Sequence, residues 1–114
     1  MIEIRSLTAL TLYDLKRVAS GYSSDSKYGV LYSNAEDQIT FDLQLVTLDK
    51  PHVKKFDHDL DTIQRYERVI NDGFSSVAYD GNLLIGLVIG EPYEWNHSLR
   101  VWEFHVLEAY RNRR

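Results

Sequence analysis

The sequence predicts an α+β fold, a mostly antiparallel sheet with two helices in the order β-α-β-α-β-β-β. Two segments have the apolar spacing of a helix, and the segments around them alternate apolar and polar residues as strands do. The dipeptide Asp80-Gly81 stands between two strand-like runs, which is the strongest short-range signal of a β-hairpin. A length of 114 residues suits one domain, so we expect residues 1–114 to belong to a single one.

The first predicted elements are a short strand and a helix. The strand covers Ile2 to Arg5, where apolar and polar residues alternate. The helix is predicted to begin after Thr11, a candidate N-cap, and to stop at Gly21. Its apolar face comprises Leu12, Leu15, Val18 and Ala19. The stretch from Gly21 to Asp37 is polar, contains glycine and has no regular period, which predicts a loop.

A strand is predicted next, in the segment DQITFDLQLVTLDKP. Alternate positions from Ile39 to Leu45 are apolar, and the phase then slips by one residue. Such a slip predicts a β-bulge near Leu45. Pro51 is expected to end the strand pairing because its nitrogen has no hydrogen to donate.

The second helix has the most regular pattern in the chain and is predicted between Asp59 and Gly73. Asp57 or Asp59 is expected to cap its start, and Gly73 stands where helices commonly end in a left-handed residue. The predicted buried stripe comprises Leu60, Ile63, Tyr66, Val69 and Ile70.

Three strands complete the predicted sheet. Two of them flank Asp80-Gly81, and Pro92 is expected to close the second. A connecting loop follows, and the last strand is predicted from Leu99 to Val106. That strand leads to a segment in which three of the last four residues are arginine, beginning at Arg111.

Composition narrows the class of protein. The net charge is −4, and the chain before its last four residues is more acidic still, which argues against general nucleic-acid binding. The absence of cysteine excludes disulfides, a thiolate nucleophile and a cysteine zinc site, and it fits a reducing compartment. No signal-peptide pattern begins the chain, and the longest apolar run, Leu83 to Gly90, is far too short to span a membrane. We therefore expect a cytoplasmic protein that binds neither nucleic acid nor membrane.

Two patterns near the C-terminus resemble one protein family. Its characteristic hairpin is matched by Asp80, Gly81, Leu84, Ile85 and Gly86. Its strand ending in V-x-x-x-Y-R is matched by Val106, Tyr110 and Arg111. With these matches the chain resembles the GNAT superfamily of acyl-CoA-dependent N-acyltransferases, in particular its streptothricin-acetyltransferase-like branch. The order of elements is similar to the N-terminal half of that family.

The resemblance implies acetyl-CoA as co-substrate and indicates where it would bind. The main chain of Phe104 and Val106 would hold the pantetheine arm. The phosphates would lie at a loop formed by Arg111, Asn112, Arg113 and Arg114. Arg114 stands where the family usually has a glycine that lets the backbone approach phosphate, which is a departure from the pattern. The resemblance also predicts that the chain stops within this loop, so that it is the truncated N-terminal part of one acyltransferase domain and inactive by itself.

On the acceptor side, the resemblance implies transfer to a primary amine of a small molecule or a peptide. Glu103 is the candidate base, with the alternative of a partly buried carboxylate paired to His105 or to an arginine. Candidate substrate contacts are Tyr28, Tyr93, Trp95 and Asn96. Trp95 can equally anchor its loop to the core, and Tyr28 can pack at the edge of the core. The histidines and aspartates from His52 to Asp61 are expected to serve helix capping, so no metal site is predicted.

Two other functions fit the sequence. A complete small module could use the hairpin and the Trp95 loop to bind a peptide or another protein without any cofactor. A pseudo-enzyme could use a GNAT-like sheet for assembly only, which the departures at Arg114 and at Arg100, where some family members have glutamate, favour. For a truncated domain, a bare strand edge and apolar surface predict a homo-oligomer or a strand-exchanged dimer.

Overall fold

The computed structural model describes residues 1–113, which fold as two compact units. The first unit comprises Met1–Ser20 together with the chain from Phe56 onward, and the second comprises Gly21–Lys55. The elements are β1 (Ile2–Ser6), α1 (Leu12–Val18), β2 (Tyr22–Ala35), β3 (Gln38–Lys54), α2 (Leu60–Ile70), β4 (Ser76–Asp80), β5 (Leu83–Tyr93) and β6 (Ser98–Val106). This confirms the predicted α+β class with its two helices and antiparallel strands, with one strand more than predicted.

The first unit is built on one antiparallel sheet with the strand order β1-β4-β5-β6. Both helices contact β5, and their apolar faces cover one face of the sheet. The core between them includes Leu15, Val18, Ile63, Tyr66, Val77, Leu87 and Ile89. The opposite face of the sheet exposes Ile2, Ile4 and Phe104. No helix within residues 1–113 is long and apolar enough to cross a membrane.

The starts of both helices follow the predicted capping residues, whereas α1 ends at Val18 with Ala19 as its C-cap, before the predicted stop at Gly21. The Thr11 side chain accepts a hydrogen bond from the Asp14 N–H (3.1 Å), and the Asp59 carboxylate accepts one from the Thr62 N–H (2.9 Å). Gly73 has the left-handed backbone expected after α2, with φ of +84°. The buried stripe of α2 is as predicted except for Leu60, which is 65% exposed because it lies in the first turn, outside the packed part of the helix.

The β4–β5 hairpin forms one residue later than the sequence indicated. Asp80 pairs with Leu83, so the two turn residues are Gly81 and Asn82. Pro92 does not close β5, since it pairs with Leu99 of β6. The pairing of β4 with β5 reaches only Val88, so the ring of Pro92 displaces no hydrogen bond to β4.

The predicted loop from Gly21 to Asp37 is wrong, because β2 and β3 form one long antiparallel hairpin that is the second unit. Pairing with β3 satisfies the backbone of a segment whose polar composition alone indicated a loop. The predicted bulge near Leu45 is also misplaced. The register shifts between Ser24 and Ser26, whose partners are His52 and Thr47, and Pro51 lies within the irregular stretch, so pairing continues to Lys54.

The hairpin has two chemically different faces. Paired residues of an antiparallel ladder point to the same side, so Val30 shares a face with Leu43, and Tyr32 with Phe41. We call this side the apolar face; it comprises Tyr28, Val30, Tyr32, Ile39, Phe41, Leu43 and Leu45. These seven side chains are 57–65% exposed. The other side is mostly polar, with pairs such as Ser33 and Thr40.

Candidate functional site

Strand β6 carries three of the candidate residues, Glu103, Phe104 and Val106, and, within residues 1–113, is the edge strand of its sheet. Its register with β5 shifts between Glu103 and Val101, so Trp102 is the extra residue of a β-bulge. Both Trp102 and Glu103 consequently reach Tyr66 on α2. The Trp102 and Tyr66 ring centroids are 6.4 Å apart, and the Tyr66 hydroxyl donates to the Glu103 carboxylate at 2.7 Å.

Four side chains converge at this bulge, and we call them the Glu103 cluster: Glu103, His105, Tyr66 and His58. Glu103 Oε1 lies 2.8 Å from His58 Nε2, and Oε2 lies 2.5 Å from His105 Nε2. His58 and Glu103 are 7% and 9% exposed. Phe56 packs against both imidazoles, with ring centroids 6.0 Å from His58 and 4.8 Å from His105. The pairing of Glu103 with His105, which the sequence left open as an alternative, is present.

The cluster keeps its carboxylate ionised. Burial by itself would raise the pKa of Glu103, but hydrogen bonds from His105, Tyr66 and His58 and the positive charge of His58 lower that pKa to about 2. Burial and the hydrogen bond to Glu103 raise the pKa of Tyr66 to about 12. At neutral pH this carboxylate is ionised, and its two oxygens are engaged by His58, Tyr66 and His105.

The predicted cofactor residues of β6 lie at the open edge. The Leu107 N–H donates to the Ile85 carbonyl (2.7 Å), and alternate residues of an antiparallel pair bond to the partner strand. The N–H groups of Phe104 and Val106 therefore point away from β5. The Phe104 side chain is 71% exposed, and with Val106 and Ile4 it lines an apolar groove on the uncovered sheet face.

Residues 110–113, which we call the arginine segment, contact the rest of the first unit through their side chains. The Tyr110 hydroxyl donates to Asp80 Oδ2 at 2.6 Å, which joins this segment to the β4–β5 turn. Arg111 donates from Nε to the Val106 carbonyl (2.7 Å) and from Nη2 to the Ser20 hydroxyl (3.3 Å). Arg113 lies over the Tyr110 ring, 4.5 Å from its centroid. Asn112 has a left-handed backbone, with φ of +60°, and Arg114 lies outside the described residues.

The predicted substrate residues of the β5–β6 loop do not contact the Glu103 cluster. Tyr93 ends β5 and its hydroxyl accepts a hydrogen bond from Arg100 (3.3 Å), while the Asn96 amide oxygen accepts one from Ser98 (2.6 Å). Trp95 is 84% exposed, so it does not anchor its loop to the core. This loop leads into β6 at Ser98, which lies roughly 17 Å from Glu103 along the strand. Tyr28 lies in the second unit, on the apolar face.

Two members of the cluster have no individual signal in the sequence. Tyr66 belongs to the helical stripe, where it is indistinguishable from an ordinary core residue. His58 stands beside Asp57 and Asp59 in a helix-capping pattern, and only the fold brings it to β6, 45 residues further along the chain. The visible signal was the spacing of Glu103 and His105, because strand residues two apart point the same way.

Comparison with known proteins gives similarity in structure but not in sequence: no family model and no curated protein matches the chain. The structure of a nourseothricin acetyltransferase matches with a TM-score of 0.56 and 24% identity, over 97% of this chain and 57% of the other. A protein from Bacillus anthracis str. Ames, described as a streptothricin acetyltransferase and solved with acetyl coenzyme A, matches with a TM-score of 0.60 and 18% identity, over 98% of this chain and 60% of the other. The fold is that of the streptothricin-type acetyltransferases.

This result confirms the predicted resemblance at the level of the fold. The chain spans about three fifths of the length of the two acetyltransferases.

Proposed function

We propose that the protein is an N-acetyltransferase that uses acetyl-CoA to acetylate the primary amine of a small molecule. One observation carries this proposal: in an acetyltransferase fold, β6 directs the N–H groups of Phe104 and Val106 to an open edge that ends beside Arg111 and Arg113. Main-chain donors along an edge suit the amide-rich pantetheine arm, and the guanidinium groups suit its phosphates. The resemblance in solved structure extends to a protein that holds acetyl-CoA.

The reaction is direct acyl transfer. The neutral amine nitrogen attacks the thioester carbonyl carbon, a C–N bond forms and the C–S bond breaks. The coenzyme leaves as a thiolate, and the proton that the nitrogen loses passes through solvent water to this thiolate. A β6 N–H directed to the edge can donate to the carbonyl oxygen as negative charge develops there. The low pKa of Glu103 assigns it a positioning role, in which it fixes His105 and the bulge of β6 rather than accepting the proton.

The proposed acceptor surface is the loop between β5 and β6. The exposed ring of Trp95 can stack on an amine-bearing substrate, and Glu91 and Glu94 beside it favour a positive charge. Tyr93 and Asn96 supply hydroxyl and amide groups at the same loop. A peptide amine and a cytoplasmic location remain predictions of the sequence.

We also propose that the protein forms a homodimer through the apolar face of the second unit. At roughly 100 Å² of exposed surface per side chain, seven side chains present roughly 700 Å², close to the ~800 Å² that each partner contributes to a standard interface. A two-stranded sheet is only marginally stable alone, so a second copy covering this face would stabilise the hairpin. The polar side of the hairpin remains in solvent in such a dimer.

Acetyl-CoA binding tests the cofactor part of the proposal. We expect Arg113→Glu to weaken acetyl-CoA binding, measured by calorimetry, by about 10- to 100-fold, since a charge-assisted phosphate contact contributes ~1.5–3 kcal/mol. Arg113 lies over the Tyr110 ring, and its charge also helps to lower the pKa of Asp80, so circular dichroism and the Tm of Arg113→Glu are measured alongside to verify that the variant is folded. Lys27→Glu, on the polar side of the hairpin, makes the same change of charge and should leave affinity unchanged. Equal affinity of the protein and Arg113→Glu would contradict the proposed phosphate site.

A further inference from the structure

We propose that His58, Glu103 and His105 form a binding site for a divalent transition-metal ion of the Zn²⁺ type, which fastens β6 to the segment preceding α2. This assignment does not depend on the proposed acetyl transfer. It replaces the prediction, made from sequence, that the chain has no metal site.

The ligand atoms already face one another. One ligand atom from each of the three residues, an imidazole nitrogen or a carboxylate oxygen, lies within 4.8 Å of the other two. Zn–N and Zn–O bonds of about 2.0–2.2 Å place neighbouring tetrahedral ligands roughly 3.3 Å apart. The separations of 2.8 Å and 2.5 Å from the carboxylate to His58 and His105 must therefore open by less than 1 Å to admit an ion.

The ligand set selects the class of ion. Two imidazoles and one carboxylate suit Zn²⁺ and its transition-metal neighbours, whereas Mg²⁺ and Ca²⁺ prefer sites made of oxygen atoms alone. Three protein ligands leave one position for water. The Tyr66 hydroxyl, 2.7 Å from Glu103 Oε1, supplies the outer hydrogen bond that orients a ligating carboxylate.

The hydrogen bonds within the cluster leave one of its buried nitrogen atoms without a partner among the described residues. His58 Nδ1 is buried and has no hydrogen-bond partner within residues 1–113. A buried imidazole that forms a hydrogen bond through only one of its two nitrogens gains little free energy from that bond. A bond from Nε2 to a metal ion would leave Nδ1 as it is, but it is stronger than the hydrogen bond to Glu103 that it replaces and would hold His58 more firmly against β6.

The surface around His58 favours the approach of a cation. Asp57, Asp59 and Asp61 line a surface pocket together with His58, and a single basic residue, Lys16, shares that pocket. Three carboxylates against one ammonium group raise the local concentration of divalent cations. His58 belongs both to this acidic pocket at the N-terminal end of α2 and to the Glu103 cluster.

Equilibrium binding of Zn²⁺ to the purified chain is the direct test. We expect one equivalent of Zn²⁺ to bind in the presence of excess Mg²⁺, to raise the Tm, and to shift the Nε2 resonances of His58 and His105 in nitrogen NMR of the unmodified protein. Co²⁺ in the same site should give the visible absorption of a four-coordinate ion. Nε2 resonances that do not move on addition of Zn²⁺ would overturn the proposal without recourse to any variant.

Variants then identify the ligands. His58→Gln and His105→Gln should each weaken Zn²⁺ binding by at least about 100-fold, more than the loss of an outer-shell partner does. The matched control is His97→Asn: His97 lies in the β5–β6 loop with φ of +52°, a backbone conformation that asparagine tolerates. A control that lost Zn²⁺ while the two glutamine variants retained it would show surface binding only and refute the site.

Discussion

At the residue scale, the contact between Tyr110 and Asp80 connects the arginine segment to the β4–β5 turn. The two residues are 30 positions apart, and their hydroxyl and carboxylate are 2.6 Å apart. The hydrogen bond from Tyr110 lowers the pKa of Asp80, and the hydrogen bond to Asp80 raises the pKa of Tyr110. The N-terminal amino group adds to the first effect from 3.5 Å. These shifts show that the contact favours the charged carboxylate and the neutral phenol.

We predict that Tyr110→Phe destabilises the fold at neutral pH and that this deficit disappears in acid. Because the folded pKa of Asp80 is depressed, its contribution is complete above the unfolded value of about 3.9 and is lost as the pH falls through the folded value. NMR titration should show the pKa of Asp80 rising toward its usual value in the variant. Tyr13→Phe, at a side chain 74% exposed, is the control. An unchanged pKa of Asp80 would contradict the contact.

Sequence reasoning at this scale succeeds where residues are close in the chain. Glu103 and His105 share a face of β6 because of the strand period alone, so their pairing was foreseeable. The approach of His58 to Glu103 was not foreseeable, since it depends on where α2 packs on the sheet. The low pKa of Glu103 follows from that packing, so the sequence left both a base and a paired carboxylate open, and only the fold adds the hydrogen bonds from His58 and Tyr66.

At the scale of elements, Gly90 explains how β5 passes close to the chain before β4. A Cβ atom on Gly90 would lie 2.8 Å from the Phe74 carbonyl oxygen and 3.3 Å from Leu99. The Gly90 N–H donates to the buried Ser75 hydroxyl at 3.2 Å. Gly90 also adjoins the register shift that forms the bulge of β6, so the close approach and the bulge occur at one place.

We predict that Gly90→Ala lowers the free energy of unfolding by about 1–3 kcal/mol, because backbone atoms must move to admit the methyl group. Gly29→Ala is the matched control. Gly29 also lies within a strand, but its added Cβ would make only ordinary contacts, 3.5 Å from the Val46 side chain and 3.9 Å from the Gln44 carbonyl oxygen. Urea unfolding of both variants measures the difference. Equal stability of Gly90→Ala and the parent would show that the Phe74 approach is looser than described.

The elements that sequence predicted correctly are those with local signals. Capping by Thr11 and Asp59, the left-handed Gly73 and the apolar stripe of α2 all depend on residues within one or two helical turns. The segment read as a loop, Gly21 to Asp37, also alternates at Tyr28, Val30 and Tyr32. Its polar and glycine residues hid that alternation, and the partner strand that stabilises it lies beyond a turn.

At the scale of the whole molecule, apolar surface remains exposed in each unit. In the first, Ile2, Ile4 and Phe104 lie on the sheet face opposite the helices. In the second, the apolar face of the hairpin carries no charged side chain, whereas its polar side includes Lys27 and Asp42. Exposed apolar patches of several hundred Å² generally mark interaction sites. The hairpin turn carries Glu36 and Asp37, and these acidic residues disfavour an anionic membrane as the occupant.

We predict that the protein sediments as a dimer and that Val30→Glu raises the dimer dissociation constant at least about 100-fold, because a carboxylate would be buried without a partner. Thr40→Glu replaces another β-branched residue with glutamate, on the polar side, and should leave the dimer intact. Analytical ultracentrifugation over a range of concentrations measures both. The chain has no cysteine, so Val30→Cys and Ser33→Cys give single attachment points on the two sides for a short bismaleimide cross-linker. We expect covalent dimers from Val30→Cys alone.

A parent protein that stays monomeric at every concentration, or equal dissociation by both glutamate variants, would show that something other than a second copy covers the apolar face.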